Sequence, residues 1–161
     1  MLRKVTVNDA CSIAHIYNHY VKNTDITFEI EPVTDSEMRQ RILDISARYP
    51  YIVCEESGRI AGYSYASLWK KREAYHHTVE STVYLHPSFQ GKGIGTLLMH
   101  ELLNELKKIQ IHAVVACITL PNPDSIKLHE KLGFRQVSVF REVGYKFGRW
   151  LDITDWELLL T

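Results

Sequence analysis

The chain has 161 residues, 45% of them apolar and 24% charged, and 19 Lys and Arg balance 19 Asp and Glu to a net charge of zero. That length suits one domain, 1-161, with a real core. The charge balance leaves no footprint for nucleic acid or an anionic membrane surface, and no apolar run approaches transmembrane length. Cys11, Cys54 and Cys117 are odd in number and far apart. They predict free, buried thiols of a reducing compartment, with no metal-ligand spacing. Met1 leads straight into a strand-like run without a signal peptide, so a cytoplasmic location is expected.

Leu2 to Val7 alternates as a short strand does. Thr6-Val7-Asn8-Asp9 marks a helix start, and Ile13, Ile16, Tyr17 and Tyr20 carry helical spacing across Asp9 to Lys22. His15 and His19 lie four apart on that helix, a spacing that metal sites use. Ile16 stands where a zincin would need glutamate, so satisfied or surface histidines are the plainer reading. Asn23 to Val33 is irregular and polar, with Phe28 its conspicuous apolar residue. Thr34-Asp35-Ser36-Glu37 is a full capping box and opens a helix to about Tyr49, where Pro50 stops it. Tyr51 to Glu56 and Ile60 to Leu68 are strands about a Ser57-Gly58 turn. The polar and aromatic Trp69 to His77 then leads into Thr78 to Leu85, whose β-branched and aromatic content predicts a buried central strand ended by His86-Pro87.

Gln90-Gly91-Lys92-Gly93-Ile94-Gly95-Thr96 follows, and a helix runs from there to about Gln110 with Ile94, Leu98, Leu102, Leu106 and Ile109 as its buried stripe. A strand, a glycine-rich turn and a helix amino terminus make an anion site, because unpaired N–H groups and the helix dipole converge there. A phosphate-binding P-loop is excluded, since no Lys is followed by Ser or Thr. A dinucleotide fingerprint lacks its last glycine, and Ile111-His112-Ala113-Val114 offers no acidic partner. An ordinary glycine-bearing turn stays open as the alternative.

Ala113 to Thr119 is a short apolar run that suits a strand covered on both faces. Pro121-Asn122-Pro123-Asp124 starts a helix to Lys131, and Gly133 with Phe134 ends it. Gln136 to Val143 and Leu151 to Leu160 are strands separated by a turn-like Gly144 to Trp150. The order predicts an α/β protein, a mixed sheet with helices on both faces.

Two stretches carry a resemblance. Gln90-x-x-Gly93-x-Gly95 after a strand resembles the pyrophosphate loop of the GNAT N-acetyltransferases. Asn122-Pro-Asp-Ser125-Ile-Lys-Leu128-His129-Glu-Lys-Leu-Gly133-Phe134 resembles their second signature, with His129 where most members carry tyrosine. FEIEPV, YASLWKKREAY, VESTVY, LHEKLGF and KFGRWLDI are similar to the phosphinothricin and methionine sulfoximine acetyltransferase branch, where that histidine is usual, over nearly the whole chain. The resemblance implies the GNAT fold, with a mixed central sheet of about seven strands flanked by about four helices. It implies acetyl-CoA as co-substrate, no metal, and a homodimer with Trp150 and Trp156 as contacts.

Acetylating an amine needs a base, a donor for the carbonyl oxygen and a proton for the departing sulfur. Glu80, a carboxylate inside a buried strand, is the candidate base; pairing with an arginine or capping a neighbour is its competing role. His129 is the candidate acid or base, with packing on its helix as the equal alternative. The resemblance gives main-chain Leu85 as the oxygen donor. It also carries over the coenzyme contacts: Val83, Tyr84 and Leu85; Gln90, Gly91, Lys92, Gly93, Ile94, Gly95 and Thr96; and Asn122 and Lys131. Cys117 has no adjacent base and suits a nucleophile poorly. An acceptor carboxylate asks for a guanidinium fork, and Arg72 matches the branch's arginine, flanked by Lys70 and Lys71. Phe28 and Tyr75 are expected as apolar walls, and Ser81 and Thr82 as polar contacts beside Glu80. Glu29 and Glu73 stand where the herbicide-resistance enzymes have non-acidic residues and would repel anionic phosphinothricin, favouring methionine sulfoximine or sulfone, or some other small amine. The expected activity is direct transfer to the α-amine of a small amino acid or analogue. A coenzyme-binding sensor without catalysis, or acetylation of protein amino termini, lysines or polyamines, are the alternatives.

Overall fold

Strands β1 (Leu2–Lys4), β2 (Tyr51–Glu56), β3 (Arg59–Leu68), β4 (Thr78–Leu85), β5 (Ala113–Leu120), β6 (Arg135–Lys146) and β7 (Arg149–Leu159) form one sheet in the order β1-β2-β3-β4-β5-β7-β6 in the computed structural model, which describes residues 1–161. The helices are α1 (Ala10–Asn23), α2 (Asp35–Ser46), α3 (Ile94–Lys108) and α4 (Pro123–Lys131). All neighbouring strands are antiparallel except β4 and β5. This is the mixed α/β sheet of seven strands and four helices that the sequence predicts.

Each helix forms where its apolar stripe finds a sheet face. Ile13, Ile16 and Tyr20 of α1 and Met38 and Ile42 of α2 pack with Tyr51, Val53 and Tyr63 in one cluster. Leu98, Leu102 and Leu106 of α3 pack with Ile52, Val79 and Val114 in another. All three leucines are fully buried, each worth about 1.5–3 kcal/mol against exposure, so α3 is anchored firmly behind the loop it starts from. Thr34 caps α2 as expected: its hydroxyl accepts from Glu37 N–H at 3.1 Å, and its own N–H donates to the Glu37 carboxylate at 2.8 Å.

Several expectations are corrected. Helix α2 ends at Ser46, a few residues before Pro50. Ile109 caps α3 and is 46% exposed, so the buried stripe stops at Leu106. Of the cysteines only Cys54 is buried. Strands β6 and β7 stay paired to Lys146 and Arg149, which shrinks the expected Gly144-to-Trp150 turn to Phe147-Gly148, both with positive φ. Trp156 is buried in the α3-side cluster, so only Trp150, 63% exposed, is free to touch a partner. No helix is long and apolar enough to cross a membrane.

Candidate active site

The site is made by a parting of strands. β4 stays paired with β3 as far as Gly62 opposite Leu85, but its pairing with β5 ends at Glu80 opposite Val115. The His86 N–H donates back to Ala61 at 2.9 Å. Strand alternation therefore turns the N–H and C=O of Leu85 the other way, towards β5, where no strand lies opposite. The Tyr20 hydroxyl donates to that carbonyl at 2.5 Å, and Gln90 Nε2 donates to the same hydroxyl at 3.0 Å. Tyr20 thus ties α1 to the strand end and to the loop after it, and leaves the Leu85 N–H facing the opening.

The loop is built for an anion. Gly91 and Gly93 take the left-handed conformation, φ 72° and 79°, and a Cβ at either position would meet nothing within 4 Å. Gly93 caps α3, and the first amide with an intrahelical partner is Leu97, which donates to Gly93 at 3.1 Å. The amides of Ile94, Gly95 and Thr96 therefore project from the helix end. Before them Val83, Tyr84, Leu85, Gln90, Gly91, Gly93, Gly95, Thr96, Asn122 and Lys131 line a groove of about 460 Å³, together with Tyr20, Lys127 and Ser125. Asn122 caps α4, accepting from Ser125 N–H at 3.3 Å. Two of the expected contacts stand apart: the Lys92 ammonium sits 5.0 Å from the centre of the Phe89 ring, and the Ile94 side chain is in the core. The open glycine face, the free amides and the two groove lysines fit a long phosphate-bearing molecule.

A second cavity, about 270 Å³, meets this groove where the strands part, sharing Ile26, Val83, Tyr84, Asn122 and Ser125 with it. Glu80, Ser81, Thr82, Phe28, Cys117 and His129 line it, and no Lys or Arg does. Burial raises the Glu80 pKa, and the negative charge of Asp155 adds to the rise. Asp155 is held on β7 by the Ser138 hydroxyl at 3.0 Å. The buried Ser81 hydroxyl has no partner within the protein.

His129 is 4% exposed and packs edge-on to Phe134 with ring centres 5.0 Å apart. Its Nδ1 lies 2.7 Å from the Ser125 carbonyl, which can only accept, so the hydrogen is on Nδ1 and Nε2 keeps a lone pair. Burial lowers its pKa, partly offset by that bond. Cys117 has open surface, yet its thiol is pushed up to about 12 by burial and by Asp155 and Glu80, so it stays a thiol and not a nucleophilic thiolate at neutral pH.

The expected acceptor cations lie outside the cavity lining. Lys70, Lys71 and Arg72 are exposed in the segment joining β3 to β4, and neither they nor Tyr75 lines the cavity. Lys70 lies 4.1 Å from the centre of the Trp69 ring and 5.3 Å from that of Tyr75. Glu29 also turns away and pairs with Arg41 at 2.5 Å, so the repulsion expected from it is neutralised. Glu80 is the acidic group that lines the cavity, and the charge of Asp155 reaches it from β7. Sequence reasoning missed Tyr20, Lys127 and Asp155. A larger cavity of about 630 Å³, lined by Arg3, Tyr49, Glu101 and Glu105 among others, shares no residue with either part of the site.

Residues 2–154 match the family described as Acetyltransferase (GNAT) domain. The chain is 39% identical over 156 residues to a phosphinothricin N-acetyltransferase of Streptomyces viridochromogenes, covering 97% of this chain and 85% of that one. It is 39% identical over 153 residues to an L-methionine sulfoximine/L-methionine sulfone acetyltransferase of Salmonella typhimurium, covering 94% and 90%. Its fold superposes with TM-score 0.96 on a phosphinothricin acetyltransferase of Sinorhizobium meliloti crystallised with acetyl-CoA, 38% identical over 99% of this chain and 88% of the other.

Proposed function

The chain belongs to the GNAT acetyltransferase family, and from that premise we propose that it acetylates the α-amine of a small amino acid or analogue, of the methionine sulfoximine, methionine sulfone or phosphinothricin type, by direct transfer from acetyl-CoA. The observation that carries this reading is the junction of a groove fitted to phosphates with a small cavity lined by both Glu80 and His129.

Acetyl-CoA supplies a thioester carbonyl open to attack. The α3 amides with Lys127 and Lys131 hold its phosphates, and Val83, Tyr84 and Leu85 run beside the pantetheine. The Leu85 N–H donates to the carbonyl oxygen as charge develops there, a contribution worth about 3 kcal/mol in comparable sites. Glu80 takes a proton from the substrate ammonium. The freed nitrogen bonds to the carbonyl carbon as the carbon–sulfur bond breaks, and the sulfur leaves with the electron pair. His129 presents a lone pair at Nε2, so it first receives a proton from the nitrogen and then returns it to the sulfur. Ser81 offers its unpaired hydroxyl to the acceptor. Arg72 is our candidate for the acceptor carboxylate: its guanidinium is exposed, makes no ion pair, and lies on the segment that leads into Glu80's strand.

The same reading extends to a homodimer. Edge strand β6 exposes Val137, Val139, Phe140, Val143 and Tyr145, each near half accessible, with Phe147 and Trp150 at the hairpin end. An apolar edge of that kind is covered in a stable protein.

The test is thiol release from acetyl-CoA with methionine sulfone, methionine sulfoximine, phosphinothricin, common amino acids, a polyamine and a peptide. Turnover confined to α-amino acids and their analogues supports the proposal, and turnover confined to the polyamine or the peptide overturns it.

A further inference from the structure

The outer wall of the acceptor cavity is held from outside, by the β6–β7 hairpin. Ile26, Thr27 and Phe28 form that wall on the irregular segment after α1. Three contacts pin the segment: the buried Lys146 ammonium donates to the Thr27 carbonyl at 2.8 Å, Arg149 pairs with Asp25, and the Thr119 hydroxyl donates to the Ile26 carbonyl at 3.3 Å. The wall's main chain therefore has little freedom, and what remains is the position of the Phe28 ring.

That ring backs onto Gly144 of β6. A Cβ built on Gly144 would stand 2.3 Å from Cε2 of Phe28 and 2.5 Å from Cζ, closer than any real side chain tolerates. The φ of Gly144 lies outside the left-handed region, so the backbone itself asks for no glycine there. The ring does. One side of Phe28 occupies the space a Gly144 side chain would fill, and the ring also faces the cavity.

We propose that Gly144 determines acceptor size: the side chain it lacks is the recess that lets Phe28 stand back and sets the depth of the cavity. The inference rests on the acetyltransferase reading of that cavity and adds which acceptors fit it. A methyl group at position 144 displaces the ring towards the cavity, because the pinned main chain cannot retreat. Long acceptors lose room and short ones do not.

The experiment compares kcat/KM for L-methionine sulfone with that for the shorter S-methyl-L-cysteine sulfone. Gly144→Ala is expected to lower the long-to-short ratio at least tenfold while the Kd for acetyl-CoA stays within twofold. Phe28→Leu with Gly144→Ala is expected to restore the ratio to that of Phe28→Leu alone, because the collision is gone. Phe28→Ala, which needs no change in β6, is expected to raise the ratio, and it decides the matter if Gly144→Ala does not fold. An unchanged ratio in Gly144→Ala, effects that simply add in the double variant, or an unchanged ratio in Phe28→Ala overturns the inference alone. A wild-type protein that acetylates neither sulfone nor any α-amino acid overturns the acetyltransferase reading beneath it.

Discussion

His129 donates its Nδ1 hydrogen to the carbonyl oxygen of Ser125 at 2.7 Å, one turn back along α4. The bond fixes the tautomer and leaves Nε2 to accept. His129→Asn keeps a donor near the Nδ1 position and removes the lone pair at Nε2, so kcat is expected to fall about a hundredfold. The folded pKa is depressed by burial, so the neutral ring's stabilisation is complete above the unfolded value of about 6.5 and is lost as pH falls through the folded one. Melting temperature measured against pH should drop on acidification in the wild type and drop less in the variant.

Tyr20 is the brace of the parted strands. Tyr20→Phe removes the bonds to Leu85 and Gln90, each worth about 1 kcal/mol net. Acetyl-CoA affinity measured by calorimetry should weaken about five- to tenfold, while kcat at saturation changes little. An unchanged Kd would mean that the loop holds its shape without the brace.

The proposed role of Arg72 is tested by the charge of the acceptor. Arg72→Ala should raise KM about tenfold for α-amino acids, the worth of a charge-assisted hydrogen bond at a partly exposed site. It should leave KM unchanged for the matching amines without a carboxylate. Equal effects on both would remove Arg72 from the site.

How much of this was legible depended on range. The capping box at Thr34, the glycine loop and the helix start at Asn122-Pro123 are local signals, written within a few residues, and they lie where the sequence puts them. Tyr20 read only as one position of a helical stripe. Its hydroxyl contacts residues 65 and 70 positions away, which no local pattern encodes. The charge of Asp155 reaches Glu80 only because β7 inserts between β5 and β6. Gly144 looked like part of a turn because glycine usually serves backbone shape, whereas here it makes room for a ring from elsewhere in the chain. Ile109 continued the stripe of α3 on paper, but the helix ends beneath it.

Glu80 is the proposed base. Burial and Asp155 raise its pKa, so the carboxylate that accepts the proton exists only above the ordinary glutamate range, and activity should climb with pH through that raised value. Stability runs the other way: the protonated form is favoured in the folded state, so its contribution is present below about pH 4.3 and is lost as pH rises through the folded pKa. The most direct measurement is kcat of Glu80→Gln across pH, beside its Kd for acetyl-CoA. With Glu80 as the base, kcat falls about a hundred- to ten-thousandfold, the acidic limb disappears, and Kd stays within about twofold of wild type. A variant that keeps the wild-type rate and pH profile would contradict it.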